Sequence, residues 1–311
     1  MNKEEYIKFC DNEENLPIYH QYYWLDLFAG KDKWDVVYIE KDNNIVASFP
    51  YILNNKRITQ PMFTQFLGPY LKYPKGQKYE KKLSYEKDMM GKLINLLPTF
   101  DKFNQNFNSN ITNWFPFYLN GFSQTTRYTY KINDLTSMDT VWNNLNNKTR
   151  TDIRKAQKKV KVVTDLTIED FYKINIMKFD RQNRKQTFTL DFLRKVDVEL
   201  SKRDKRKIFF AVDEDDNIYA VLYLVWDNNN AYYIWGDGDP KYRNSGAASL
   251  LMWEAIQFAS TVTKSFDFEG SMIESIEKFF RSFGGIQTPY FSISKTNSKL
   301  FKIKECIKGI F

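Results

Sequence analysis

The sequence predicts a mixed α/β fold in two domains, each a mixed, mostly antiparallel sheet flanked by helices. Three observations carry that expectation. One phrase occurs twice: Ile39-Glu40-Lys41-Asp42-Asn43-Asn44-Ile45-Val46-Ala47 returns as Val212-Asp213-Glu214-Asp215-Asp216-Asn217-Ile218-Tyr219-Ala220, with four of nine positions identical. Each copy reads as an apolar strand, an acidic and Asn-rich turn, then a second apolar strand. Each copy also opens a stretch in which strand-like and helix-like patterns alternate. Finally, 311 residues leave room for about two domains. A cleft between paired domains is a usual place for a ligand.

In the first half, residues 17–28 read as a short helical stretch and 36–53 as the first hairpin. Thr64-Gln65-Phe66-Leu67-Gly68-Pro69 reads as a short strand punctuated by Gly-Pro, and the Lys- and Tyr-rich 72–87 as a loop. Met89, Met90, Leu93, Leu96 and Leu97 have the spacing of an amphipathic helix over 85–100. Strands are expected at 103–107 and 128–132. Asn133-Asp134-Leu135-Thr136-Ser137 is a turn that also caps the next helix. The domain boundary is placed there, giving domains 1–134 and 135–311.

The second half opens with a helix over 138–159 that becomes basic: Lys148, Arg150, Arg154, Lys155, Lys158 and Lys159. A strand at 160–163 follows, then a helix opened by the capping box Thr167-Ile168-Glu169-Asp170, then a helix over 190–202. After the second hairpin comes a strand at 231–235, stopped by Gly236-Asp237-Gly238-Asp239-Pro240. The next helix, 245–260, carries Ala247, Leu250, Leu251, Ala255 and Phe258 on one face. A strand at 266–268, a helix at 275–283 and a strand at 288–294 complete the order αβααβββαβαβ. The tail, 300–311, is a short basic amphipathic segment, read as a docked terminal helix with a membrane-surface role as the alternative.

Composition narrows the function. Apolar residues make up 42% and charged residues 27%, enough for a core and a solvated surface. The net charge of +8 suits a partner carrying phosphates, such as a coenzyme, a nucleotide sugar or RNA. With two cysteines and one histidine, no metal spacing, disulfide framework or Ser-His-Asp triad is expected. No signal peptide follows Met1-Asn2-Lys3-Glu4-Glu5, and no apolar run is long enough to span a bilayer. The expectation is a cytoplasmic protein without stable membrane insertion.

The stretch that carries chemistry runs from Tyr233 to Ala248. A strand ends, a small loop follows, and a helix begins with Gly246, Ala247 and Ala248. Small residues let a ligand approach the backbone closely. The first-turn amides of a helix are unpaired, and its dipole adds about half a positive charge. Together they form a cradle for a pyrophosphate, with Arg243 able to reach a phosphate.

Tyr242-Arg243-Asn244-Ser245-Gly246-Ala247 resembles the acyl-CoA pyrophosphate loop of GNAT acyltransferases, whose Arg/Gln-x-x-Gly-x-Gly/Ala pattern falls on Arg243, Gly246 and Ala248. Phe266-Asp267-Phe268-Glu269-Gly270-Ser271 and the following Ile276 to Gly285 are similar to the C-terminal motif of tandem GNAT proteins related to the Fem aminoacyl transferases of peptidoglycan synthesis. The basic helix with Arg150, Arg154 and Ala156 resembles that group too. Trp24-Leu25-Asp26, Thr64-Gln65 with Leu67-Gly68-Pro69, and Gln124 to Tyr130 look like a bacterial subgroup found with surface-polysaccharide genes. Where Fem-type transferases often place a Lys beside the Phe-x-x-x-Phe-Gly aromatic, this chain has Phe280 and Arg281, and it lacks the long helical arm of some Fem proteins.

The resemblance implies two tandem GNAT-like domains and transfer of an acyl group from acyl-CoA, such as acetyl-CoA or hydroxybutyryl-CoA, to an amine, with no metal. The acceptor it implies is a nucleotide-linked amino sugar, of the dTDP-3-amino-3,6-dideoxyhexose type, for lipopolysaccharide or capsule, with no nucleic-acid partner. Two alternatives remain: a Fem-like transferase using aminoacyl-tRNA on a peptidoglycan precursor, and a non-catalytic RNA- or membrane-surface-binding protein. Amine attack needs a base, and carboxylates are the natural candidates here: Asp237, Glu269 and Asp26. Trp235, Arg243, Asn244, Ser245, Gly246, Ala247, Ala248 and Arg281 are the expected coenzyme contacts. Trp24, Gln65, Arg127 and Tyr128 are the expected acceptor contacts.

Overall fold

The computed structural model describes residues 2–181, 188–270, 272–299 and 301. The chain forms two compact units, 1–128 with 289–311, and 129–288. The C-terminal strand therefore belongs largely with the first unit, where the sequence reading cut the chain once at 134. Ladder pairing explains it: that strand runs antiparallel to Lys102–Asn106 of the first unit, from Ser292↔Asn106 to Thr296↔Lys102.

In the first unit, α1 (Lys3–Asn12) and α2 (Tyr22–Phe28) precede the hairpin of β1 (Trp34–Lys41) and β2 (Asn44–Asn54). Short β3 (Arg57–Thr59) and β4 (Tyr70–Leu71) each pair with β2. Then come α3 (Tyr79–Leu96), β5 (Lys102–Asn106), α4 (Phe115–Leu119) and β6 (Ser123–Ile132), whose last residues enter the second unit. Asp42 and Asn43 adopt φ of 51° and 59°, so β1 and β2 close on a two-residue turn of the kind that matches strand twist. The expected strand at 64–69 is reduced to a single bridge, Leu67↔Phe107. The core is aromatic: Phe49, Phe103, Phe107, Phe117 and Phe122 interlock around Met90 and Leu93 of α3.

The second unit follows the expected order, with two differences. The long basic helix is broken into α5 (Met138–Asn144) and α6 (Asn147–Ala156), because the Asn146 side chain accepts the Lys148 N–H at 2.9 Å and starts a new helix. After β7 (Lys161–Val163), α7 (Ile168–Arg181) opens with the expected box: Thr167 and Asp170 exchange backbone-to-side-chain bonds, each at 3.2 Å. Then come α8 (Leu190–Lys202), β8 (Arg206–Val212), β9 (Ile218–Trp226) and β10 (Asn230–Gly238). β10 is the second difference, since it runs through the Gly-Asp-Gly block expected to stop it. α9 (Ala247–Val262), β11 (Ser265–Asp267), α10 (Glu274–Arg281) and β12 (Ile286–Thr296) complete the chain.

The second unit's strands lie in the order β6-β11-β10-β9-β8-β7, antiparallel except for β10 and β11. α9 packs on one face, against Leu222, Leu224 and Phe266, while α7 and α8 pack on the other. Among the described residues, no helix is long and apolar enough to cross a membrane. The tail expected to dock as a helix lies outside the described residues apart from Phe301.

Candidate active site

The site grows from an irregularity in β10. Pairing with β9 slips between Tyr233 and Trp235, leaving Ile234 as an extra residue. Because side chains alternate, this bulge moves every later side chain to the opposite face. Trp235 then stands opposite Tyr223, and Asp237 opposite Val221, on the face that α7 covers. The Trp235 ring meets Tyr223 at 5.4 Å and Phe188 at 5.6 Å. On the other face Tyr233 packs 5.9 Å from Phe280. Its hydroxyl lies over Gly236, where a Cβ would come within 2.3 Å of that oxygen. Glycine at 236 thus continues the strand instead of ending it.

β10 and β11 run parallel only from Asn230↔Ser265 to Tyr232↔Asp267. Beyond that their carboxyl ends part, the position where open α/β sheets bind ligands. α9 begins there. Its ladder starts with the Leu250 N–H donating to the Gly246 carbonyl at 3.0 Å. The Ala247 N–H is taken by Ser245 Oγ at 3.2 Å, and Ala247 is buried. The amides of Ala248 and Ser249 precede the ladder, and Ala248 is exposed. Arg243 and Asn244 are exposed just before. Gly246 itself has φ of 83°, and a Cβ there would stand 2.4 Å from the Asp152 carbonyl oxygen of α6. Its glycine is required by helix packing and by the left-handed cap, not by a ligand's approach.

A cavity of about 410 Å³ lies against Ser249, lined also by Lys148, Asp152, Ser275, Lys278 and Arg281. Three cations and the first turn of α6 face one space, an arrangement suited to phosphates. Arg281 also donates to Glu277 Oε1 at 2.8 Å.

Glu269 follows β11 at φ of 62°, a conformation that a non-glycine residue holds only under constraint. Its Oε1 is buried without a hydrogen-bond partner. Burial pushes its carboxyl well above the usual range. Asp237 is half-buried and accepts the Gly238 N–H at 2.8 Å.

Trp235, Asp237, Arg243 to Ala248, Glu269 and Arg281 all lie in the second unit. Asp26, Trp24, Gln65, Arg127 and Tyr128 lie in the first. Asp26 accepts the Trp34 indole N–H at 2.7 Å. Trp24 is fully buried and donates to Thr64 Oγ1 at 3.0 Å, so its ring is a core element and offers no face to a ligand. Gln65 reaches the Tyr290 hydroxyl at 3.4 Å, Arg127 is exposed and Tyr128 is half-buried. Sequence reading missed Tyr233, the cavity lysines Lys148 and Lys278, and the partners of Asp267. A run of basic residues signals a charged helix but not which cations share a cavity.

Residues 147–271 match the family model for the acetyltransferase (GNAT) domain. That match falls within the second unit. No curated protein matches the chain. Among solved structures, FemX is similar over 94% of this chain and 96% of its own, with a TM-score of 0.69 and 10% identity. The C-terminal domain of a putative lysylphosphatidylglycerol synthetase from Agrobacterium fabrum is similar over 100% of this chain and 96% of its own, with a TM-score of 0.58 and 10% identity. L-PGS from Bacillus licheniformis is similar over 96% of this chain and 93% of its own, with a TM-score of 0.57 and 11% identity. At such identities these likenesses concern the fold. The matched residues include the β10 bulge, the start of α9 and Glu269.

Proposed function

We propose that this protein is an N-acyltransferase that takes an acyl group from a coenzyme A thioester and transfers it to an amine. The observation that carries the reading is the start of α9, where amides ahead of the helical ladder adjoin a cavity bearing Lys148, Lys278 and Arg281. In it, the Ala248 and Ser249 amides and Arg243 hold the pyrophosphate, and the cavity cations hold further phosphate charge. Glu269 is the base that takes the proton of the attacking amine, with Asp237 on the neighbouring strand end as the second carboxylate. Because the Glu269 carboxyl titrates above the ordinary range, the rate rises with pH through that raised value.

The acceptor is an amino sugar linked to a nucleotide, of the dTDP-3-amino-3,6-dideoxyhexose type, for surface polysaccharide made in the cytoplasm. Its support is the resemblance of Trp24 to Asp26, Thr64 to Pro69 and Gln124 to Tyr130. Arg127 and Tyr128 are the acceptor contacts that remain available. A second reading, transfer from aminoacyl-tRNA to a peptidoglycan precursor, is favoured by the fold likeness to FemX and by the same cations.

Incubation with acetyl- or hydroxybutyryl-CoA and a panel of nucleotide amino sugars, with free thiol as the readout, tests the first reading. Thiol release that depends on the amine supports it. No release with any acceptor, alongside turnover of aminoacyl-tRNA, replaces it with the second.

A further inference from the structure

Three buried polar side chains converge where β6 meets β11. Asp267 is paired with Lys131 in the antiparallel ladder. Thr129 and Lys131 are two residues apart on β6 and so share a face. Thr129 donates its hydroxyl to Asp267 Oδ1 at 2.5 Å, and Lys131 Nζ lies 3.9 Å from Asp267 Oδ2. All three are buried: Thr129 is 3%, Lys131 8% and Asp267 3% exposed. A carboxylate withdrawn from water in this way needs strong compensation, which the Lys131 ammonium and the donors provide.

The same Oδ1 accepts one more bond, the Glu269 N–H at 2.8 Å. That bond spans the point where the chain leaves β11 and turns left-handed, at φ of 62° for Glu269 and 61° for Gly270. Left-handed glutamate persists where surrounding bonds over-determine it. Asp267 supplies that constraint from a fixed position in the sheet.

We propose that Asp267 is a positioning residue: held by Thr129 and Lys131, it locks the Glu269 backbone in the left-handed turn that keeps the Glu269 carboxyl buried. Burial pushes the Asp267 carboxyl above its usual range, and Lys131 opposes that rise by favouring the ionised form, in which both oxygens are acceptors. The inference rests on the reading of Glu269 as the base. Its chemistry is that of a supporting network, which decides how well a reacting group is held.

The test uses the full-length protein and the variants Thr129→Val, Thr129→Ser, Asp267→Asn and Glu269→Gln, each checked for folding by thermal unfolding. Titration of the Glu269 carboxyl by carbon-detected NMR needs no substrate. The expected result is a raised titration point in wild type that moves towards the ordinary range in Thr129→Val and returns in Thr129→Ser. In acyl transfer, Thr129→Val is expected to lower kcat at least about tenfold and shift the acidic limb of the pH profile, with KM for the thioester unchanged. An unmoved Glu269 titration and wild-type kcat in a folded Thr129→Val overturn the inference; if Asp267→Asn does not fold, Thr129→Val alone decides. A fully active Glu269→Gln would instead remove the base reading, whereas an inactive Glu269→Gln beside an unaffected Thr129→Val removes only the role of Asp267.

Discussion

The two hairpins that share a phrase lead to opposite surroundings. In the first unit two of the residues that looked chemical are used internally: Trp24 bonds Thr64, and Asp26 bonds Trp34. In the second unit the sheet beside the hairpin carries a bulge at Ile234, a left-handed glycine cap at Gly246 and a left-handed Glu269 with a buried, unbonded oxygen. Even the turns differ. Lys41 pairs with Asn44 across two residues, whereas the Asp213 carboxylate gathers the amides of Asp215 and Asn217 into a longer loop. The repeated phrase therefore marks a shared scaffold, and the candidate site follows from the bulge at Ile234, the cap at Gly246 and the turn at Glu269 that lie beyond the second copy.

The sharpest way to break this contrast is to exchange carboxylates for amides in both units. Glu269→Gln is expected to lower kcat by about 10²–10⁴-fold, while the fold survives. It is also expected to stabilise the protein at neutral pH. An acid whose folded pKa is raised binds its proton more tightly in the native state, so its ionisation weakens the fold as pH rises. The gain in denaturant midpoint should vanish below the ordinary carboxylate range. Equal stability of wild type and variant at pH 8 would show that burial of Glu269 carries no cost.

Acid should attack the other unit. His20 is buried with neither ring nitrogen bonded, and burial lowers its pKa from 6.5 to about 3. Between those values the unfolded chain holds a proton that the native ring does not. The His20 contribution is intact above pH 6.5 and erodes as pH falls, reaching roughly 5 kcal/mol near pH 3. His20→Phe, measured by urea unfolding at several pH values, should flatten that slope. An unchanged slope would assign it to other groups.

Two glycines at positive φ separate strain from packing. Gly246→Ala adds a Cβ against the Asp152 carbonyl and should cost about 3 kcal/mol or more. Gly121→Ala, with its nearest atom 3.9 Å away, should cost only about 1–2 kcal/mol. Similar losses in the two would mean that α6 yields to the added atom. A loss as small as that of Gly121→Ala, about 1–2 kcal/mol from the Trp34 bond, is expected of Asp26→Ala, with kcat unchanged. A large drop in kcat would return Asp26 to the chemistry.

Strong periodicity made most elements legible: both hairpins, α7 with its capping box, α8 and α9. The misses have physical causes. The sequence places a loop at 72–87 and a helix at 85–100, yet α3 begins at Tyr79, because its first turns are polar and its buried face includes Glu86, held by Tyr73 and Asn113. The cue for α1 was present in its Asn2 cap and in Tyr6 and Cys10, one turn apart and buried. The stop expected at Gly236 failed because the Tyr233 side chain, three residues earlier on the same bulged strand, lies over that position and leaves no room for a Cβ there. At the site, residue types pointed to the α9 start and to Glu269. The bulge at Ile234 and the partners of Asp267 depend on register and long-range pairing, which no local pattern encodes.

Calorimetric titration of coenzyme A into wild type and Ala248→Glu tests the central claim most directly. Ala248 is exposed in the first turn of α9, so the substitution adds charge and bulk over the free amides without disturbing the core. Binding to wild type that Ala248→Glu abolishes, with the melting temperature unchanged, is the predicted result. Equal binding by both proteins, or none by wild type, would contradict it.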